Sequence, residues 1–134
     1  MRTVRDVMSG HIEVLRTTET AADAASYLAS HVDDSVPLCL SDGSLAGSTV
    51  SNRDIVSKVV AKGLDPREVR LGDMAESGDV LALEASATVE DAVAYMSLHH
   101  RSRLPVTDGN RVIGLVTQRD AARSVAFRPP WVDS

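Results

Sequence analysis

The stretch "GLVTQRD" (114–120) is the clearest indication of the fold, because most of its pattern occurs twice in the chain. Its last four residues, Thr117 to Asp120, correspond to Ser51 to Asp54 in the upstream stretch "GSTVSNRD" (47–54). Each time, a strand-like apolar run ends at a hydroxyl residue, and an aspartate follows three positions later. This spacing is typical of a helix N-terminus, where the hydroxyl oxygen accepts a backbone N–H. The chain therefore repeats one strand-to-helix turn.

The repetition extends well beyond this turn. The stretch "HIEVLRTTETAADAASYLASH" (11–31) aligns without a gap with "DVLALEASATVEDAVAYMSLH" (79–99). The stretch "DGSLAGSTVSNRD" (42–54) aligns in the same way with "DGNRVIGLVTQRD" (108–120). Two copies are too few for a solenoid or a propeller, so two small units that face each other around one core fit the chain better.

We expect a first repeat over residues 1–66, with a lead-in and a linker, and a second repeat over 67–134, with a C-terminal tail. Each is predicted to run strand, helix, strand, strand, helix. Thr20 and Thr88 each stand three residues before an aspartate and open a helix whose apolar residues recur every three or four positions. An Asp-Gly pair in each repeat supplies the turn of a β-hairpin. The second helix begins at the repeated hydroxyl, and in the first repeat it ends at Gly63.

The composition is that of a globular protein, with 43% apolar and 25% charged residues in a chain of 134. The formal net charge of −5 argues against nucleic-acid binding, which favours a basic surface. No run approaches the roughly 18 apolar residues of a membrane span, and "MRTVRDVMSG" (1–10) has no apolar leader, so we expect a cytoplasmic protein without membrane contacts. The single cysteine, Cys39, excludes an intrachain disulfide and is expected to be buried.

The doubled order of elements, the hairpin and the hydroxyl-x-x-Asp helix start resemble the CBS domain, and two such units in tandem resemble a CBS pair, or Bateman module. "VRDVM" (4–8) before the first strand and "RLPV" (103–106) at the hairpin entry are also similar to that family. The lone pair is similar to small stand-alone actinobacterial CBS proteins of the hypoxic-response type, which implies a stress-related role. The resemblance implies an α/β fold in which tandem repeats pack with pseudo-two-fold symmetry through their small sheets.

The resemblance also implies an adenine nucleotide (AMP, ADP or ATP) in a cleft between the repeats. Thr117 suits a phosphate, because free N–H groups and a hydroxyl meet at a helix start. Asp120 is able to accept hydrogen bonds from two ribose hydroxyls, and Arg103 adds a charge-assisted phosphate contact. Gly114, a glycine within a strand, allows a close approach. The Thr-x-x-Asp spacing is equally that of an ordinary helix cap, and this alternative stays open.

In the family, the first strand of one repeat offers its backbone to the ligand held by the other repeat. By resemblance, the residues so placed are Ile12 and Glu13 at the Thr117 and Asp120 site, and Val80 and Leu81 at a second, weaker site around Ser51 and Asp54. The second site is expected to be weaker because Ser35 stands where the second repeat has Arg103, and two aspartates (33–34) precede it. Two carboxylates at that place would repel a phosphate.

No Ser/His/Asp or Cys/His set and no glycine-rich phosphate loop occurs in a recognisable context, so we expect no catalytic residue and no enzymatic activity. His99 and His100 in "HHRSR" (99–103) are too few for a metal site, and no cofactor is required. The prediction is a regulatory module that senses an adenine nucleotide. The alternative is a CBS pair without a ligand that acts by dimerising or by docking on an unknown protein partner.

A homodimer is expected as well. The first helix is rich in alanine, at positions 21, 22, 24, 25 and 29, and small side chains let helices approach closely. CBS pairs commonly pack through such helices, and two-fold closure is the most frequent form of oligomer. The tail contains the only tryptophan, Trp131, which either docks on a neighbouring surface or belongs to a disordered end.

Overall fold

The computed structural model describes residues 2–10, 14–31, 35–77 and 80–125. In the first half, the elements are α1 (Val4–Val7), β1 (Leu15–Arg16), α2 (Ala21–Ala29), β2 (Ser35–Cys39), β3 (Leu45–Ser51) and α3 (Asn52–Ile55), which continues as a π-helical segment (Val56–Val60). In the second half, they are α4 (Leu71–Met74), β4 (Glu76–Ser77), β5 (Leu83–Glu84), α5 (Val89–Leu98), β6 (Arg103–Asp108), β7 (Arg111–Thr117) and α6 (Gln118–Ser124). Apart from the lead-ins α1 and α4–β4, the predicted order of strand, helix, strand, strand, helix is confirmed in both halves.

Each half carries one small sheet, with strand order β1-β2-β3-β4 in the first and β5-β6-β7 in the second. β1 and β5 pair in parallel with β2 and β6, and each hairpin pairs antiparallel. The hairpin tips bond to each other across the two halves. The Leu45 N–H donates to the Asn110 carbonyl at 2.9 Å, and the Val112 N–H donates to the Gly43 carbonyl at 3.0 Å. The sheets therefore meet with the expected pseudo-two-fold symmetry.

The turn and cap residues adopt the conformations that the sequence predicts. Gly43 and Gly109 have φ angles of 89° and 67°, a region that glycine enters without steric cost. The hydroxyl oxygens of Thr20 and Thr88 accept the N–H of the aspartate three residues later, at 3.3 and 3.1 Å. Local sequence therefore sets both hairpin turns and both starts of the first helices.

The second helices of the two repeats differ. α3 gives way to the π-helical segment, in which the Ala61 N–H donates to the Val56 carbonyl at 2.8 Å. The segment ends at Val60, and the turn that follows it contains Gly63, whose φ of 69° is typical of the residue after a helix C-terminus. In the second repeat, α6 is α-helical over its whole length. π-helical turns are rare, and nothing in the sequence indicated this one.

Two clusters of buried apolar side chains form the core, and the lead-ins are exchanged between them. Val4 of α1 is buried in the cluster of the second repeat, whereas Leu71 of α4 is buried in the cluster of the first. The backbone repeats this exchange: the Val4 N–H donates to the Ala87 carbonyl, and the Leu71 N–H donates to the Glu19 carbonyl, both at 2.8 Å. Each repeat thus completes its core with a segment that precedes the other. The division at residues 66 and 67 stays a prediction about sequence units.

The alanine-rich helix α2 packs into its own repeat. Ala21 and Ala24 are fully buried in that core. This part of the helix face is therefore not free to contact a second subunit, whereas Ala22 and Ala25 are half-buried and Ala29 is exposed. The homodimer through this helix stays a prediction.

Candidate functional site

Thr117 and Asp120 lie where β7 ends and α6 begins. The Thr117 hydroxyl accepts the Asp120 N–H at 3.0 Å, so Thr117 caps the helix. Arg103 is the partner of Thr117 in the antiparallel register of β6 and β7. Because directly opposite residues share one face of a sheet, these two side chains are neighbours. The structure therefore brings together three of the residues that were predicted for the site in the second repeat.

The two matching aspartates have different surroundings. The Asp54 carboxylate accepts the Ser51 N–H at 2.9 Å, and its other oxygen lies 3.5 Å from Lys58 Nζ. Within the described residues, the Asp120 carboxylate accepts no hydrogen bond, although Asp120 is half-buried. Ser124 stands where the first repeat has Lys58, and its hydroxyl donates to the Asp120 backbone carbonyl at 3.0 Å. Among the described residues, the carboxylate of Asp120 therefore has no hydrogen-bond donor, whereas that of Asp54 has the Ser51 N–H and Lys58 as partners.

A missing cap bond alone does not indicate a ligand. In the described part of α5, Asp91 likewise makes no reciprocal bond to its cap residue Thr88. Asp91 is exposed, so water satisfies its oxygens, whereas Asp120 is half-buried. A partly desolvated carboxylate without a donor costs free energy. Burial is therefore the feature that distinguishes Asp120 from an ordinary cap.

Gly114 makes the close approach that a strand glycine permits, but the approaching atoms belong to the lead-in of the chain itself. A Cβ at this position would lie 2.5 Å from the Ser9 carbonyl oxygen and 2.8 Å from Met8 Sδ. Ser9 and Leu115 exchange backbone hydrogen bonds of 2.7 and 3.0 Å beside it. The structure thus gives Gly114 a role in packing, and its contact with a ligand stays a prediction.

Among the described residues, two of the clefts between the repeats have linings that correspond under the pseudo-two-fold symmetry. In the second-repeat cleft, Arg103, Pro105 and Leu115 face residues of the first repeat, which include Val14, His31 and Ser35. Its walls are mostly apolar. The enclosed space is about 30 Å³, which is room for one or two water molecules. This volume is too small for a nucleotide, and the residues that line it include neither Thr117 nor Asp120.

The first-repeat cleft is larger and more polar, at about 260 Å³. It is lined from the first repeat by Ser35, Pro37 and Thr49, and from the second by Leu81, His99, Arg101, Arg103 and Leu104. Leu81 lines this cleft, and its contact with a ligand beside Ser51 and Asp54 stays a prediction. Val80 directly precedes it and is half-buried.

Arg103 lines both clefts, so its charge does not belong to the second repeat alone. Ile12 and Glu13, predicted for the second-repeat cleft, lie outside the described residues, as do Asp33, Asp34 and Trp131. The repulsion expected from the two aspartates therefore stays a prediction.

The sequence analysis missed a tyrosine–histidine pair at the end of each first helix. The rings of Tyr27 and His31 stack with centroids 4.0 Å apart, and those of Tyr95 and His99 lie 4.5 Å apart. Each histidine lines one of the clefts. The signal was present in the sequence as a Tyr-x-x-x-His spacing that occurs at matching positions of the two repeats.

Cys39 is buried, as predicted, beside the second-repeat cleft. Burial raises the pKa of its thiol, an effect that the nearby Arg16 opposes and Asp42 reinforces. A raised pKa disfavours the reactive thiolate. Over residues 2–10, 14–31, 35–77 and 80–125, no three or more His, Cys, Asp and Glu side chains are grouped as metal ligands. No helix in those same ranges is long and apolar enough to span a membrane.

Comparisons with known proteins extend over both repeats. Residues 71–126 match the family model of the CBS domain. Hypoxic response protein 1 of Mycobacterium tuberculosis is 34% identical over 123 residues, which cover 92% of this chain and 85% of that protein. A crystal structure of Hypoxic Response Protein I with two coordinated zinc ions is 33% identical, with a TM-score of 0.70 over 93% of this chain and 100% of that chain. A crystal structure of CBSX2 in complex with AMP shares the fold at 22% identity, with a TM-score of 0.67 over 92% and 96% of the two chains.

Proposed function

The chain belongs to the CBS domain family, and from this we propose that it is a non-enzymatic regulatory module that binds an adenine nucleotide between its repeats. The single observation that carries the proposal is the carboxylate of Asp120. It is half-buried, and within the described residues it accepts no hydrogen bond. A pair of ribose hydroxyls supplies the two donors that this carboxylate lacks.

The neighbours of Asp120 suit the rest of a nucleotide. Thr117, one turn earlier, lies opposite Arg103 in the β6–β7 register. An arginine beside a hydroxyl offers a phosphate both charge and hydrogen bonds. AMP bound to CBSX2, which has the same fold, supports this class of ligand for the present chain.

The small size of the second-repeat cleft fits a sensor. Its volume of about 30 Å³ is far below the roughly 300–1,000 Å³ of typical ligand pockets. A nucleotide that reaches from Asp120 into this cleft would need a conformation in which the repeats have separated on that side. Because a ligand shifts an equilibrium by its differential affinity for the two states, binding here would change the arrangement of the repeats. Such a change is what a partner protein would detect.

The test is a titration of the full chain with AMP, ADP, ATP, NAD and S-adenosylmethionine, followed by calorimetry and by melting temperature. We expect one nucleotide per chain. Asp120→Asn should lose about 1.5–3 kcal/mol of binding free energy, or roughly 10- to 100-fold in affinity, because a charged acceptor for two hydroxyls is removed. Ligand at about a hundred times its dissociation constant should stabilise the wild type by about 2.7 kcal/mol.

Asp54→Asn is the matched control, since it makes the same change in the first repeat and should keep the ligand-induced stabilisation. Equal nucleotide affinity in wild type and Asp120→Asn would reduce Asp120 to a helix cap and remove the basis of the proposal. Because Hypoxic Response Protein I is known with two coordinated zinc ions, the titration is repeated with EDTA. The proposal includes no metal, so chelation should leave nucleotide binding unchanged.

A second candidate function is an interaction module that works as a homodimer, and an exposed apolar surface favours it. Val56 and Val60 are 59% and 65% exposed in the π-helical segment. Exposed apolar pairs on one helix are common at protein contacts. We expect sedimentation of the wild type to show a dimer, and Val56→Glu together with Val60→Glu to give a monomer that still folds. A wild-type monomer at tens of micromolar would exclude this candidate.

A further inference from the structure

The side chain of Lys58 connects two parts of the first repeat. Its Nζ donates to the Met74 carbonyl oxygen at 2.8 Å, where α4 ends, and lies 3.5 Å from Asp54 Oδ1, one turn earlier in the same helical run. Both charged side chains are largely shielded from solvent, with 25% of Lys58 and 19% of Asp54 exposed. Water and salt screen such a pair less than a pair on the surface. The ammonium group of Lys58 is therefore held between two acceptors.

The ion pair and the helix cap use different oxygens of the Asp54 carboxylate. The Ser51 N–H donates to Oδ2 at 2.9 Å, whereas Lys58 Nζ faces Oδ1 at 3.5 Å. An ionised carboxylate has about four lone-pair sites on its two oxygens. The cap bond alone would leave Oδ1 open to a ribose hydroxyl, so it is the ammonium of Lys58 that takes this place.

The second repeat has no cation at the matching position. Ser124 stands where the first repeat has Lys58, and its hydroxyl donates to the Asp120 backbone carbonyl at 3.0 Å. Among the described residues, no basic side chain forms an ion pair with the Asp120 carboxylate. The two motifs thus share their hydroxyl, arginine and aspartate, but only one of them is followed by an internal partner for the carboxylate.

We infer that Lys58 is a positioning residue that blocks nucleotide binding in the first repeat, because its ammonium occupies the Asp54 carboxylate in place of ribose hydroxyls. The inference rests on the proposed function, in which the matching aspartate binds the ribose, and it names the contact that closes the first site. A ribose would have to separate a shielded ion pair. Neutral hydroxyls do not replace the lost charge, and removing one partner from such a pair costs free energy.

The test is calorimetric titration of the full chain with AMP, ADP and ATP. Lys58→Ser copies the residue of the second repeat and should bind one more nucleotide per chain than the wild type does. Lys58→Arg keeps the positive charge and should keep the wild-type stoichiometry. Lys62→Ser is the matched control, since it removes a lysine from an exposed position one turn later and should gain no site.

A second variant guards against a loss of folding, because Lys58→Ser also loses the bond to the Met74 carbonyl. The denaturant midpoint shows whether Lys58→Ser is folded. Lys58→Met keeps the apolar stem of the side chain without the charge and should gain the same site. Adding Asp54→Asn to either variant should remove the additional site, because the carboxylate is the group that Lys58 is inferred to occupy.

The outcomes separate this inference from the proposed function. An additional site in Lys58→Ser that Asp54→Asn removes would support the inference, and if the wild type bound no nucleotide it would also refute the site at Asp120. No additional site in the folded Lys58 variants would overturn the inference, and one nucleotide per wild-type chain would then leave the proposed function intact. An additional site in Lys62→Ser would overturn it too, because the loss of any nearby lysine would then suffice.

Discussion

The first and the second repeat begin their second helices with the same hydroxyl-x-Arg-Asp turn, but the two turns have different neighbours. In the first repeat, Lys58 follows Asp54 by one helical turn and pairs with it. In the second, Ser124 occupies the matching position and its hydroxyl donates to a backbone carbonyl instead. The two aspartates therefore differ both in the reciprocal cap bond and in the basic residue one helical turn later. A duplicated motif does not by itself indicate a duplicated site.

The prediction with the largest expected effect tests whether the two repeats unfold independently of each other. Leu38 of β2 and Val106 of β6 occupy matching, fully buried positions. Leu38→Ala should lower the free energy of unfolding by about 2–5 kcal/mol, and Val106→Ala by less because fewer atoms are removed. Since each core contains the lead-in of the other repeat, both variants should unfold in one transition. Urea unfolding followed by circular dichroism and by hydrogen exchange would reveal two transitions if the repeats were independent.

The next effect concerns Gly114, because the matching position in the first repeat is Ser48. Gly114→Ala should cost about 1–3 kcal/mol, because the new Cβ would lie 2.5 Å from the Ser9 carbonyl oxygen and the lead-in must shift. Ser48→Ala, at the matching position of the first repeat, should stay within about 0.5 kcal/mol. Denaturant midpoints measure both variants. Equal costs at the two positions would mean that the lead-in moves freely and that glycine is not required.

A smaller effect is expected when the stabilities of variants at Asp54 and Asp120 are compared in the absence of ligand. Asp54→Asn should destabilise by about 1 kcal/mol, because it loses the charge that pairs with Lys58 and weakens the bond from the Ser51 N–H. Asp120→Asn should change stability by less than about 0.5 kcal/mol, since its carboxylate accepts no hydrogen bond among the described residues. Thermal unfolding without nucleotide checks this order. The reverse order would show that Asp120 is the structural residue of the pair.

The smallest expected effect is a difference in stability at acid pH between a variant in α1 and a variant in α4, the lead-in helices of the two repeats. The backbone N–H of Thr3 donates to the Asp6 carboxylate at 2.9 Å and holds the pKa of Asp6 below its usual value of 3.8. A lowered folded-state pKa adds stability above the unfolded-state pKa, and this is lost as the pH falls through the folded-state pKa. Asp6→Asn should therefore reduce the fall in stability below about pH 4.

Asp73 of α4 matches Asp6, but the described part of α4 contains no such cap bond. Asp73→Asn is therefore the control variant and should leave the acid limb of the stability curve unchanged. Unfolding midpoints measured between about pH 2 and pH 6 compare the two variants with the wild type. An unchanged acid limb in Asp6→Asn would show that the Thr3 bond is not maintained in solution.

Much of the fold was predictable because its signals are local. The cap at Thr88, the turn at Gly109 and the turn at Gly63 after the helix each depend on a few consecutive residues and adopt the expected conformations. The packing of α2 was not predictable in this way. Alanines suit a helix contact of any kind, and the structure places Ala21 and Ala24 in the core of their own repeat.

The candidate site was predictable in its residues but not in its charges. Thr117, Asp120 and Arg103 are neighbours in sequence motifs or in strand register, so their proximity follows from the hairpin. Which cleft Arg103 lines does not follow from the hairpin, because that depends on how the sheet of one repeat packs against the sheet of the other. From the sequence alone, Arg103 was the positive charge expected to favour a ligand, and it was assigned to the site of the second repeat. The structure places Arg101 and Arg103 against Ser35 of the first repeat.

The sequence by itself determined the duplication, the order of the elements and the residues that begin and end the helices, because each of these is set within a few positions of the chain. Only the tertiary structure decided which lead-in completes which core, which aspartate has a basic partner and which clefts Arg103 lines. Those outcomes depend on contacts between residues that are distant in the chain. A short motif carries no information about the neighbour that folding will bring to it.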